Sequence, residues 1–161
     1  KRGDIELNIV DYSYVTGYGK HRHVHNFTFC QLTKETTHFP CFFIRDENFI
    51  LDSMGSMLGG QDIDFVEDKR FSDSFVLQGI SESEIRNFFN RKVRSAFCKY
   101  HQKGYCYESK GRALLVYKSG HTSLDGRIAM LNTALRIFNE ISTVKYEDDM
   151  EDIPRNPKYY G

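Results

Sequence analysis

His21, His23 and His25 stand two residues apart, so on a β-strand all three imidazoles leave one face, with successive Cβ atoms roughly 6.5 to 7 Å apart. Three imidazoles at that spacing, with water in a fourth position, describe a catalytic zinc site, and zinc is the one cofactor these residues suggest. The plainer account is a solvated hairpin end beside Gly17 and Gly19, where Lys20 and Arg22 oppose a dication and no cofactor is needed. Phe27 and Phe29 continue the same face and carry it toward a core.

Asp62 and Asp64 share one face of an alternating acid–apolar segment, and Glu67 and Asp68 follow. Such a group offers oxygen ligands to a hard cation, or two carboxylates for acid–base work. The spacing is not that of an EF-hand loop, and solvated strand residues or partners for Lys69 and Arg70 explain the acids as well. Cys98, His101 and Cys106 give C-x2-H-x4-C, three ligands without a fourth at a standard short spacing. Arg94, one turn before Cys98, favours a thiolate, but no acid that would orient His101 can be named. Arg86, Arg91, Lys92, Arg94, Lys99 and Lys103 make one helix basic, with Arg91 and Arg94 central to a surface that would meet phosphates, and Tyr105 and Tyr107 nearby for stacking. Gly17, Gly19 and Lys20 lack the spacing of a phosphate-binding loop and read as a turn.

The whole composition sets bounds on these sites. In 161 residues, 22 Lys+Arg balance 22 Asp+Glu, which argues against a generic nucleic-acid binder; no specific nucleic-acid partner is expected, and a protein partner is. Thirteen Phe and ten Tyr supply apolar area for one core. Cys30, Cys41, Cys98 and Cys106 contain no C-x-x-C pair, as suits a reducing cytoplasm. No apolar run approaches the roughly 20 residues of a membrane helix, and Lys1 to Asp4 lack a signal-peptide character, so the chain reads as soluble.

The elements follow from periodicity. Ile5, Leu7 and Ile9 alternate, then Val10, Tyr12 and Tyr14 begin a second set, predicting a strand over 4–15 that forms a hairpin with a strand over 22–33. Cys41 to Ile44 predict a third strand, and Ile50, Met54, Met57 and Leu58 a short helix ended by Gly59 and Gly60. Residues 75–80 predict a strand, and Ser81 with Glu84 a capping box opening one long helix to Gly104, with Ile85, Phe88, Phe89, Val93, Ala96, Phe97 and Tyr100 on its buried side. A hairpin of 105–109 and 112–118 turns at Lys110 and Gly111. A last helix starts near Thr122 or Ser123 with a stripe of Leu124, Ile128, Leu131, Leu135, Phe138 and Ile141 or Ser142. Residues 1–144 form a single α+β domain, an antiparallel sheet of about six or seven strands with about three helices over it, and 145–161 an acidic, loose tail.

The run Asp11 to Lys20 with His25, the segment Gln61 to Phe65, the Phe71 to Gly79 region and the strand Leu114 to Tyr117 resemble recurring segments of a family of uncharacterised bacterial proteins. The similarity spans about 5–142 and brings no established activity. In that family the domain often follows an N-terminal hydrophobic segment, which implies a soluble domain held near the cytoplasmic face of a membrane by a segment outside this chain. The combined expectation is a noncatalytic interaction or sensory domain, against the alternative of a metal-binding protein or metal-dependent hydrolase built on His21, His23 and His25.

Overall fold

The computed structural model describes residues 4–47 and 62–145. The helix expected near 48–58 and the acidic tail beyond 145 lie outside the described residues. Strands β1 (Ile5–Thr16) and β2 (His23–Lys34) pair without interruption from Ile5 opposite Lys34 to Thr16 opposite His23. Gly17 closes this hairpin with φ +75°, and a Cβ there would lie 2.1 Å from the carbonyl oxygen of His21, so the turn demands glycine. A single 3-10 turn, Gly19–His21, completes it.

β3 (Phe39–Asp46), β4 (Phe75–Gly79), β5 (Cys106–Gly111) and β6 (Ala113–Ser119) complete a six-stranded sheet in the order β1-β2-β6-β5-β3-β4, antiparallel throughout. Pro40 has no N–H to give a ladder, and the β3–β5 register slips between Phe39 and Phe42 where it sits; β4 pairs only from Phe42 onward, so Pro40 lies beyond that strand's reach. The β5–β6 turn falls one residue later than expected, because Lys110 pairs with Ala113 and leaves Gly111 and Arg112 to turn the chain. Residues 62–65 alternate in burial, with Ile63 and Phe65 inside, but form no strand; the bonds from Ile63 N to Leu77 O (2.8 Å) and from Leu77 N to the Asp62 carboxylate (2.8 Å) hold them beside β4.

After the short α1 (Lys69–Ser72), the long helix expected beyond Ser81 is two: α2 (Glu82–Phe88) and α3 (Arg91–Tyr100). Ser81 accepts from Glu84 N, as the capping box requires. The break comes at Asn90, whose side-chain oxygen accepts from Lys92 N (2.9 Å) and Val93 N (3.2 Å) and so starts α3 afresh. All but Tyr100 of the apolar residues expected to share one side are buried. Helix α4 (Leu124–Ile141) starts on Ser123, which accepts from Gly126 N.

The main core lies between one sheet face and the helices. Phe39, Phe42, Ile44, Leu77, Tyr107, Leu114 and Val116 meet Ile85, Phe88, Phe89, Phe97, Met130 and Phe138, each large side chain contributing about 1.5–3 kcal/mol of burial. In α4 the buried row is Met130, Ala134, Ile137 and Ile141 with Phe138 and Leu135, while Leu124 and Ile128 of the expected stripe are 73% and 49% exposed. The row facing the sheet is headed by Arg127, which bonds Asp11 of β1, so a charged residue occupies the place where periodicity looks for an apolar one.

Candidate functional site

The helices and the 62–65 segment share the main core, whereas the second cluster, Phe27, Phe43, Cys106 and Tyr117 with Tyr14, Phe29 and Leu115 against it, is made of strand residues alone. Alternation along each strand puts these on the opposite face of the sheet. The register sets them in transverse rows. Asn8, Gln31, Leu115, Glu108, Phe43 and Gln78 lie side by side across all six strands, and Val10, Phe29, Tyr117 and Cys106 form the next row.

A depression of about 510 Å³ opens over the first row, walled by Cys41, Phe43, Ile80, Ala113 and Leu115, with Gln31, Glu108 and Lys110 supplying the polar atoms. Its size and apolar lining with few placed polar groups are those of a ligand site. Glu108 and Lys110 are two residues apart on β5, so both face the depression, about 7 Å from one another. Tyr117 Oη donates to Glu108 Oε1 (2.6 Å), and burial pushes that phenol well above its ordinary value, so it remains a donor and fixes the carboxylate. Burial also raises the Cys41 thiol, with Lys110 opposing and Glu108 adding to the effect. Aromatic rings extend the floor toward the hairpin: Phe29 and Tyr117 have centroids 5.1 Å apart, Phe27 and Phe29 5.8 Å, and Tyr14 stacks on His25 at 4.7 Å.

The residues singled out by spacing go elsewhere. His21 belongs to the 3-10 turn rather than to a strand, so the three imidazoles do not share a ladder; His23 begins β2, and His25 Nε2 lies 2.8 Å from Thr16 Oγ1. Among the described residues, no three His, Cys, Asp or Glu side chains gather where a metal ion would be held. Asp62 accepts from Leu77 N (2.8 Å), and burial raises its carboxyl while that bond lowers it; Asp64 offers its backbone oxygen to Arg86. The two acids therefore serve separate contacts. Arg91 is exposed, but Arg94 is 6% exposed and does not belong to a basic surface. Its guanidinium lies over Phe65 (4.3 Å), donates to Asp68 Oδ2 (2.9 Å) and Phe89 O (2.8 Å), and pairs with Glu67. Helix α3 packs against α1 there, which brings Asp68 within reach and draws Arg94 inward.

Cys98 carries a thiol raised by burial, an effect that Arg70 and Arg94 only partly oppose, so the expected thiolate is not favoured. The acid that orients His101 is Asp46, at 2.6 Å from Nε2, while Tyr107 Oη is 3.1 Å from Nδ1. Cys106 precedes Tyr107 on β5 and points through the other face of the sheet, away from His101, so Cys98, His101 and Cys106 do not converge. Asp46 Oδ2 also accepts from Gly104 N (2.7 Å), and the ring meets Phe75 edge-on at 4.9 Å. This group ties the end of β3 to the α3–β5 connection.

Spacing along the chain missed Gln31, Cys41, Phe43, Glu108, Lys110 and Leu115. The signal present was apolar residues at both parities: Phe27 and Phe29 alternate with Cys30 and Leu32, and Tyr117 with Val116, marking strands with something to cover on each side. Comparison of the chain with family models, curated proteins and solved structures finds no match.

Proposed function

We propose that this chain is a noncatalytic binding domain that takes an apolar peptide segment of a protein partner on the sheet face opposite its helices. The observation that carries this reading is the depression over the row Gln31, Leu115, Glu108 and Phe43, apolar in its walls and provided with one ammonium and one fixed carboxylate. A peptide main chain presents a carbonyl for Lys110 and an N–H for Glu108 at the same strand-like repeat, while its side chains enter between Phe43, Leu115 and Ile80. The best-organised polar groups elsewhere, Asp46 with His101 and Arg94 with Asp68, join elements of the fold, which favours binding over catalysis.

Two probes test this reading: anilinonaphthalene sulfonate, whose rings suit the apolar walls and whose sulfonate suits Lys110, and a blocked dileucine peptide as competitor. The expected result is saturable one-to-one dye fluorescence, displaced by the peptide, abolished in Ala113→Trp and weakened in Lys110→Glu. Dye binding indifferent to both substitutions, or none, contradicts it.

A further inference from the structure

The two charged groups of the depression are left open by the rest of the chain. Glu108 has one carboxylate oxygen, Oε1, anchored on the hydroxyl of Tyr117 (2.6 Å), a side chain 1% exposed. Its other oxygen has no partner among the described residues, and Lys110 Nζ meets no acceptor there. A carboxylate accepts at both oxygens, so Oε2 is a vacant acceptor beside the apolar walls of Phe43 and Leu115. Gln31 adds a second. Its Nε2 is turned to Thr33 Oγ1 (3.5 Å), which leaves the carbonyl oxygen over, and register places Gln31 and Glu108 on either side of Leu115.

The depression also has a closed end. Its walls come from the row Gln31, Leu115, Glu108 and Phe43 and, toward the β5–β6 turn, from Ala113, Lys110 and Cys41. In the row beyond Glu108, Phe29 packs on Tyr117 with centroids 5.1 Å apart, Cys106 is fully buried opposite Tyr117, and none of the three lines the depression. A peptide that enters past Lys110 therefore runs out of room at Glu108. What it presents there is an end of its chain, and the amino terminus is the end that carries positive charge and three N–H donors. Charge-assisted bonds of this kind are about twice as strong as those of a neutral amide, and apolar walls strengthen them further. A terminal carboxylate would meet Glu108 as a like charge.

Given that the depression takes an apolar peptide, as proposed above, we infer that it captures the free amino terminus of that peptide. The α-ammonium sits on Glu108 Oε2 and Gln31, the first apolar side chain enters between Phe43 and Leu115, and the carbonyl of the second residue reaches Lys110, about 7 Å further on.

Dissociation constants of three peptides, read from the 15N shifts of Phe43 and Leu115 at neutral pH, test this. Leu-Leu-amide, with a free amino terminus, is expected to bind about tenfold more tightly than the blocked acetyl-Leu-Leu-amide. Acetyl-Leu-Leu with a free carboxylate binds no more tightly than the blocked peptide. Glu108→Gln keeps an acceptor for Tyr117 but loses the charge, and brings the first two constants together with circular dichroism unchanged. Equal constants for the free and blocked peptides, a preference that survives Glu108→Gln, or tightest binding by the free carboxylate overturns the capture of an amino terminus and leaves a peptide site in place. Shifts at neither amide with any of the three peptides overturn both.

Discussion

Nε2 of His101 lies 2.6 Å from Oδ1 of Asp46, a residue 55 positions earlier in the chain. A carboxylate only accepts, so Nε2 carries the proton in this contact. Burial lowers the pKa of His101 from its ordinary 6.5, against the opposing pull of Asp46, so the ring is neutral and Nδ1 accepts from Tyr107 Oη. The unfolded chain therefore binds a proton near pH 6.5 that the folded chain refuses, and the stability present above that pH is lost as pH falls below it. Urea unfolding across this range is expected to show an acid-side slope that shrinks in His101→Gln by up to about 1.4 kcal/mol per pH unit.

Arg94 holds α1 and α3 together through Asp68, Glu67, Phe89 O and the face of Phe65. Arg94→Ala leaves Asp68 Oδ2 and the Phe89 carbonyl without the guanidinium donor and is expected to cost about 2–3 kcal/mol, read from the denaturation midpoint. Arg94→Lys recovers only part of this, since one ammonium cannot span both acceptors and cover the ring.

Gly79 pairs with Phe42 where β4 meets the core. A Cβ there would stand 2.3 Å from Ile85 Cγ1 and 3.1 Å from Cys41 O, and Ile85 is fully buried, with no space to turn away. Gly79→Ala is expected to destabilise by about 1–3 kcal/mol, and the penalty to diminish in an Ile85→Ala background, as the thermal midpoints of the four proteins will report.

Burial separates the cysteines into two pairs. Cys30 and Cys106 are inaccessible and their thiols are pushed up to about 12, whereas Cys41 and Cys98 are partly exposed with thiols raised less. Alkylation of the native protein followed by peptide mapping is expected to mark Cys41 and Cys98, slowly at neutral pH, and to leave the others until the chain is denatured. The blocked dileucine peptide should shield Cys41 alone, because only that thiol borders the depression.

Local chemistry made much of the fold legible. The alternation of Ile5, Leu7 and Ile9, the caps at Ser81 and Ser123, and the apolar side running from Ile85 to Phe97 each depend on neighbours within a few residues. Even there the cap at Asn90 is hidden, because it lies inside an unbroken apolar period. The candidate site depends on register instead: Gln31, Leu115, Glu108 and Phe43 come from four strands and are neighbours only once those strands pair. Asp46 and His101, or Asp11 and Arg127, are likewise distant in the chain, and no spacing rule reaches them. The histidines at 21, 23 and 25 had the opposite character, a pattern sharp in sequence that the 3-10 turn at His21 divides.

Titration of the 15N-labelled chain with the blocked dileucine peptide locates the ligand residue by residue. Shifts gathered at Gln31, Cys41, Phe43, Glu108 and Leu115, saturating together and absent in Ala113→Trp, are the predicted result. Saturating shifts centred on α4 or on the hairpin tip, or none at these five amides, would contradict a binding site on the face opposite the helices.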